Sequence, residues 1–215
     1  MNERLGNWLA TAGLCALLGT STAGAFPLFY LNPDQSLDPT GTYEYYNADT
    51  NQYFLTMSQQ EIDGLESGRI AGWKRTGQRE AFLAFAEPVR VSGVAAANAA
   101  THPVCRFYIP PTSHFLSASE EECDAVAKAY PEFILETSAA FHVFVPDATG
   151  ACPRLSANIG GFSFQPVYRL WDKYRQGVEH RLTPSKAERA ALLAEGWVSE
   201  GYGDDGVAMC VPKWE

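Results

Sequence analysis

Two histidines, His114 and His180, are the residues whose type and position could do chemistry in this sequence. The stretches 114–117 and 180–183 both run from a histidine to a serine or threonine, and the stretch 53–56 matches them with a tyrosine in front. Imidazole nitrogens bind metals and move protons near neutral pH. A metal site needs clustered ligands, however, and the tyrosine breaks the pattern. We therefore expect structural histidines inside hairpins, and neither a metal nor a cofactor.

The other reactive side chains have simpler explanations than catalysis. Ser119 and Ser185 precede expected helices and suit helix caps, and no G-x-S-x-G nucleophile motif occurs. The acidic run 120–122 falls at a helix start, where negative charge is favourable. Asp204 and Asp205 lie in a glycine-flanked turn that lacks the full calcium-loop pattern. No catalytic residue is assigned.

These side chains belong to three segments that align with one another. The segments begin at Tyr43, Cys105 and Tyr168, and each reads as a strand, a turn, a second strand and a helix start. The helix starts are capping boxes, in which a serine is followed three residues later by a glutamate. They are Ser58 with Glu61, Ser119 with Glu122, and Ser185 with Glu188. Each segment then continues to an aromatic residue (Trp73, Phe133 or Trp197) and a closing apolar strand at 81–85, 140–144 or 206–210.

The first residues are typical of a secretory signal. An apolar run at 9–18 is followed by the small residues Ala23, Gly24 and Ala25. The run is too short to span a bilayer, which needs about 20 residues. We expect cleavage after Ala25 and a secreted product, extracellular or periplasmic; an uncleaved anchor is the alternative.

Four cysteines remain in the mature chain, and an even count in an exported protein indicates disulfides. Three pairings are formally open. We favour Cys105 with Cys123, which joins a strand to the next helix, and Cys152 with Cys210, which joins a linker to the last strand.

The aligned blocks resemble a domain family of unknown function that is common in exported bacterial proteins. The resemblance rests on Val167-Tyr168-Arg169, on the stretch 180–183, and on Gly196-Trp197 with Glu200-Gly201; the stretches 104–108 and 113–115 carry it in the middle segment. It covers about residues 42–213. It implies an accessory module, and it brings no catalytic residues.

We expect a β-rich α+β domain with three internal repeats, approximate threefold symmetry and one short helix per repeat. Twelve strands favour a β-trefoil-like arrangement; a three-lobed sheet array with helices outside is the alternative. The expected boundaries are a signal peptide at 1–25, an N-terminal arm at 26–41 and a single domain at 42–213, with repeats at about 42–87, 104–146 and 167–213. His142 alternates with apolar neighbours and is expected to face solvent.

The composition narrows the possible partners. The net charge of −9 disfavours nucleic acid, because phosphate binding needs a cationic face. Repeated aromatic residues favour a non-catalytic module that binds carbohydrate or another cell-surface polymer, with Tyr46, Tyr108, Trp171, His114 and His180 as candidate binding residues. A small secreted hydrolase is the alternative, and one deep cleft with a buried histidine and carboxylate would favour it.

Overall fold

The structure is a computed structural model, and it describes residues 30–31, 38–92, 100–154, 162–174 and 178–214. The expected signal peptide and its cleavage site after Ala25 lie outside the described residues. Most of the expected arm at 26–41 does so too. Of that arm, Tyr30–Leu31 forms a short strand, and residues 40 and 41 already belong to the next strand.

The described residues form short strands with three helices between them. The helices are α1 (Gln59–Glu66), α2 (Glu120–Ala129) and α3 (Lys186–Ala194). The strands are β1 (Tyr30–Leu31), β2 (Thr40–Asn47), β3 (Gln52–Thr56), β4 (Trp73–Arg75), β5 (Phe82–Ala84), β6 (Val91–Ser92), β7 (His102–Pro103), β8 (Cys105–Ile109), β9 (Ser113–Ser117), β10 (Ile134–Thr137), β11 (His142–Val143), β12 (Phe162–Asp172), β13 (Glu179–Thr183), β14 (Val198–Glu200) and β15 (Val207–Trp214).

Three antiparallel hairpins carry the architecture. They are β2–β3, β8–β9 and β12–β13, and each is followed by one helix. A further strand pairs with the other side of each first strand: β4 on β2, β10 on β8 and β14 on β12. The expected β-rich α+β composition, with one short helix after each hairpin, is therefore confirmed. The described strands form several small sheets and do not close into a barrel, so the closure of a β-trefoil is not seen.

The second strands of the hairpins meet in the interior. β3, β9 and β13 contact one another, and each contributes one leucine to the largest apolar cluster. These leucines are Leu55, Leu116 and Leu182. The closing segments pack against them through Phe82, Phe141 and Met209, all of which are buried. The three hairpins therefore share one interior, which fixes their relative positions.

Both favoured cysteine pairs are confirmed as disulfides. Cys105 and Cys123 have Cα atoms 6.4 Å apart, and the bond joins β8 to α2. Cys152 and Cys210 have Cα atoms 5.6 Å apart, and the bond joins the linker before β12 to β15.

One expectation about the strands is wrong. His142 does not face solvent; it is buried, and its Nδ1 lies 3.2 Å from the carbonyl oxygen of Ala86. Strand alternation suggested exposure, but the segment 85–86 runs beside β11: Phe85 exchanges two backbone hydrogen bonds with His142, and the carbonyl of Ala86 contacts the imidazole.

None of the helices in the described residues is long and apolar enough to cross a lipid bilayer.

Candidate functional site

Each helix begins with the same set of contacts. The side chains of Ser58, Ser119 and Ser185 accept hydrogen bonds from the backbone N–H of Glu61, Glu122 and Glu188, so all three predicted caps are confirmed. A hydroxyl at the end of the preceding strand donates to each glutamate; the donors are Thr56, Ser117 and Thr183. Cap and hydroxyl together hold each carboxylate at the foot of its hairpin.

Two of these carboxylates receive an arginine from the following hairpin. Arg106 donates from Nη2 and Nη1 to Glu61 at 2.5 and 3.0 Å, and from Nε to Glu136 at 2.8 Å. Arg169 makes the corresponding bonds to Glu122 at 2.6 and 2.8 Å and to Glu200 at 3.0 Å. Such two-point pairs are among the strongest hydrogen bonds in proteins, and they join each of these hairpins to the helix that precedes it.

The third carboxylate, Glu188, is paired with an arginine from its own hairpin. Arg181, on β13, lies 2.6 Å from Glu188 of its own helix and donates two 3.0 Å bonds to Glu44 on β2. Glu44 occupies the sequence position that Arg106 and Arg169 hold in the other two segments. Where the last hairpin meets the first, a glutamate therefore stands at the arginine position, and Arg181 on the second strand bridges it to Glu188.

These contacts set the charge states of the carboxylates. Burial raises the pKa of Glu61, but hydrogen bonds from Arg106 and Thr56 outweigh it and leave the pKa below its usual value. Glu122 behaves in the same way. Burial raises its pKa, but the hydrogen bonds and charge of Arg169 have the larger effect and leave the pKa below its usual value. Both groups are therefore anions across the neutral range.

Both candidate histidines are buried between aromatic rings. His114 lies against Phe54 at 4.7 Å between ring centroids, and His180 lies against Phe115 at 5.1 Å. Their Nε2 atoms are 3.6 Å from Glu136 and 3.3 Å from Glu200. Burial, with the charge of Arg106, lowers the pKa of His114 to about 3, so this imidazole is neutral at physiological pH. A buried base of this kind is not suited to proton transfer near pH 7.

A small cavity lies where the three hairpins meet. Its volume is about 20 Å³, which is room for about one water molecule. The Nδ1 atoms of His114 and His180 are buried and lack a hydrogen-bond partner among the described residues. The cavity is lined by Glu44, Tyr53, Leu55, His114, Leu116, Arg169, His180, Arg181 and Leu182. It brings a histidine and a carboxylate together, but it is far too small for a substrate, since ligand pockets span roughly 300–1,000 Å³.

The three aromatic candidates lie beside this centre and are only half-exposed. Each is the cross-strand neighbour of a central residue: Tyr46 of Tyr53, Tyr108 of His114 and Trp171 of His180. The hydroxyl of Tyr46 donates to Asn51 at 2.5 Å, and that of Tyr108 donates to the carbonyl of Pro111. The ring of Trp171 stacks on His180. The structure therefore places all five candidate residues around one centre, where their rings pack against one another.

A second opening, larger than the central cavity, is a cleft that the sequence did not indicate. It has a volume of about 280 Å³ and lies between the start of α2 and the turn before β15. Tyr202 lines it and is 41% exposed, which makes it the exposed aromatic of this cleft. The remaining lining residues are Ser117, Ala118, Ser119, Glu122, Val145, Arg169, Gly201 and Ala208.

The turn that carries Tyr202 depends on its glycines. Tyr202 and Val207 exchange two backbone hydrogen bonds of 2.9 Å, which close the turn. Gly203 has a φ of +64°, and a Cβ there would lie 2.0 Å from the carbonyl oxygen of Thr149. Only glycine fits this position. The sequence pattern that could have indicated the site is an aromatic residue between two glycines, at Gly201-Tyr202-Gly203.

Metal-binding geometry is absent from the described parts of the chain. Within them, no group of three or more histidine, cysteine, aspartate or glutamate side chains is placed to hold a metal ion. At the glycine-flanked turn, Arg189 donates to the carbonyl oxygen of Asp205 at 2.8 Å, so a guanidinium faces the position where calcium was considered.

A family model covers most of the chain. The model of a domain of unknown function, DUF5648, matches residues 28–143 and 157–207. The chain belongs to this family. The match covers all three helices and all three hairpins described above, with a gap in the linker before β12. No curated protein and no solved structure matches the chain.

Proposed function

We propose that this member of the family is a non-catalytic binding module of an exported protein and that it binds a saccharide polymer. The observation that carries the proposal is the cleft beside α2, where an exposed tyrosine ring stands next to fixed polar groups. Tyrosine offers an apolar face for the C–H face of a sugar ring and a hydroxyl at its tip. A few well-placed polar groups in a concave site then fix the orientation of the ligand.

The polar groups of the cleft are held in place before any ligand arrives. Glu122 is fixed by Arg169, by Ser117 and by the helix cap, and its side chain is still 36% exposed. Rigid groups lose little conformational entropy on binding, so each hydrogen bond to a sugar hydroxyl contributes more to affinity. Ser119 accepts the backbone N–H of Glu122 and keeps its own hydroxyl proton for a ligand.

A three-unit architecture is part of the proposal, and the contacts around the helices support it. The caps, the strand-end hydroxyls and the arginine pairs recur from one segment to the next. The aromatic lining does not recur, however. The positions that correspond to Tyr202 are Gln78 and Ser138 in the first and second segments. We therefore expect one saccharide site per chain rather than three.

The hydrolase alternative is weaker because its signature is confined to the small central cavity. A histidine and a carboxylate do line one cavity there, but its volume of about 20 Å³ excludes a substrate. His114 also stays neutral to about pH 3, which disfavours it as a general acid or base at neutral pH.

Export is part of the proposal, and the two disulfides are compatible with it. A secretory signal cleaved after Ala25 would deliver the chain to an oxidising compartment, where the two disulfides form and persist. Cell-surface and extracellular polysaccharides are present in the same places.

The test is a binding screen of the mature protein, residues 26–215, against a panel of polysaccharides by affinity electrophoresis and calorimetry. We expect binding of at least one polysaccharide with one site per chain, and a loss of at least tenfold in affinity in Tyr202→Ala. Tyr202→Phe should keep most of the affinity, because the ring remains. Tyr174→Ala is the matched control, since Tyr174 is 75% exposed and does not line the cleft.

Two results would contradict the proposal. One is the absence of binding across the panel together with hydrolysis of an ester or peptide substrate. The other is binding that Tyr202→Ala and Tyr174→Ala weaken equally, which would place the saccharide elsewhere on the chain.

A further inference from the structure

The second segment has an outer surface that is much less covered than the outer surfaces of the other two. Helix α1 buries Ile62 and Leu65, and α3 buries Leu192, whereas α2 has no buried residue along its ten positions. The disulfide from Cys123 to Cys105 ties α2 to β8 instead. The helix is therefore held by a covalent bond and by the partly buried Val126, whereas its neighbours are held by fully buried apolar residues.

Apolar side chains gather on this surface beside α2. Ile134 and Leu135 on β10 are 55% and 51% exposed, and Tyr130 is 48% exposed with its ring stacked on Phe133 at 4.9 Å. We name these four residues the β10 patch. Three of the six highly exposed large apolar side chains of the described residues therefore fall within 130–135, and exposed apolar groups that cluster in this way mark interaction sites on soluble proteins.

The main chain of β10 adds a second recognition element. β10 is the edge of its sheet, and β8 is the strand it pairs with among the described residues. β4 and β14 are edges of their sheets too, but neither of these strands has a large apolar side chain among those that are highly exposed. Proteins usually protect such edges with charge, as Lys74 does on β4. The edge of β10 has apolar residues at these positions instead.

The exposed charges of the stretch that contains the β10 patch, 120–137, are mostly acidic, and they favour a basic partner. The exposed residues Glu120, Glu121 and Asp124 on α2 and Glu132 before β10 are acidic, and Lys128 is the one exposed base in the same stretch, 120–137. A second copy of this chain would bring the same acidic rim against this one, at a net charge of −9 each. A partner with basic residues beside its apolar residues would be attracted by these carboxylates, whereas a second copy would be repelled by them.

We propose that the β10 patch docks an extended segment of another protein, which adds a strand to the edge of β10 and carries apolar residues flanked by lysine or arginine. The main-chain groups of β10 supply affinity in this mode of binding, and side chains on alternate sides supply specificity. Ile134 and Leu135 lie on opposite faces of the strand, next to Tyr108 and Phe107. They therefore contact alternate side chains of the docked segment.

The experiment uses two synthetic nine-residue peptides. Both alternate valine with threonine at their centre; one carries two lysines at each end and the other carries two glutamates. We expect the lysine peptide to bind at least tenfold more tightly by calorimetry and to shift the amide resonances of 134–137 in NMR spectra. The double substitution Ile134→Thr with Leu135→Thr should abolish binding, because threonine keeps the strand but removes the apolar contact.

Ile70→Thr is the matched control, because Ile70 is 48% exposed and lies outside the β10 patch. Circular dichroism of all variants verifies the fold. The proposal is overturned if neither peptide binds, if both bind equally, or if the double variant binds as well as the parent chain. It is also overturned if sedimentation shows a dimer that the double variant abolishes, because the surface would then belong to a second copy.

Discussion

Arg181 and Glu44 form a buried two-point ion pair across 137 residues of sequence, with both donor–acceptor distances at 3.0 Å. Their side chains are 13% and 8% exposed. The guanidinium of Arg181 also lies 4.2 Å from the ring centroid of Tyr53. The pair joins the last hairpin to the first, so the three hairpins are linked in a closed cycle.

Breaking this pair should destabilise the domain strongly, because one buried charge is then left without its partner. Glu44→Gln should cost about 3 kcal/mol of the free energy of unfolding. Arg181→Met should cost more, about 4–5 kcal/mol, since it leaves Glu188 uncompensated as well. Urea unfolding monitored by tryptophan fluorescence measures both values.

The surface pair Arg75–Glu66 is the control for this prediction, with side chains 28% and 47% exposed. Glu66→Gln should cost at most about 1 kcal/mol. Equal losses for Glu44→Gln and Glu66→Gln would show that the closing pair has no special role.

The stability of the domain should fall as the pH drops below about 6.5. The pKa of His114 is lowered to about 3 by burial, so the native imidazole stays neutral while the unfolded one gains a proton below its ordinary pKa. The stabilising contribution is full above that ordinary value and is lost as the pH falls toward 3. Its slope is at most about 1.4 kcal/mol per pH unit.

Between about pH 5 and 6.5 the contribution of His114 to the pH dependence of stability can be measured apart from that of the carboxylates. Glu61, Glu122 and Glu200 also have lowered pKa values, but their contributions are lost only when the pH falls further, through the values they have in the folded state. His114→Phe keeps the ring packing against Phe54 and should flatten the dependence in this window. An unchanged slope in the variant would assign the effect to another group.

Local sequence patterns predicted the parts of the fold that depend on nearby residues. The three serine caps and both disulfides were found because a cap needs two residues three apart and because four cysteines allow few pairings. The arginine pairs were missed, since Arg181 and Glu44 meet only after the hairpins have assembled. His142 was placed wrongly for a similar reason, because the segment 85–86 that lies against it is far away in sequence.

The candidate site was predicted in part only. The central residues His114 and His180 do lie together, but the exposed ring of the cleft is Tyr202, which no periodicity selects. Its exposure depends on a glycine turn and on the position of the neighbouring hairpin. Neither property is encoded within a short stretch of residues.

The two disulfides should contribute unequally to stability. Cys105 and Cys123 are separated by 18 residues, and Cys152 and Cys210 by 58, so the second bond restricts the unfolded chain more. Replacing each pair by alanine should cost about 3 and about 4 kcal/mol, respectively. Urea unfolding of the two double variants measures the difference. A larger loss from the first pair would mean that the contact between α2 and β8 outweighs loop closure.

Gly203→Ala should disrupt the turn that presents Tyr202, whereas Gly68→Ala should not. Both glycines have positive φ, +64° and +75°, so both substitutions pay the cost of a left-handed alanine, about 1–2 kcal/mol. A Cβ on Gly203 also collides with the carbonyl oxygen of Thr149 at 2.0 Å, whereas one on Gly68 meets nothing within 4 Å. We expect Gly203→Ala to be at least about 2 kcal/mol less stable than Gly68→Ala in urea unfolding and to lose saccharide affinity at temperatures where it is still folded. Equal stability of the two variants would show that the turn adjusts to the added carbon without cost. Intact saccharide affinity in Gly203→Ala would show that binding does not depend on the conformation of this turn.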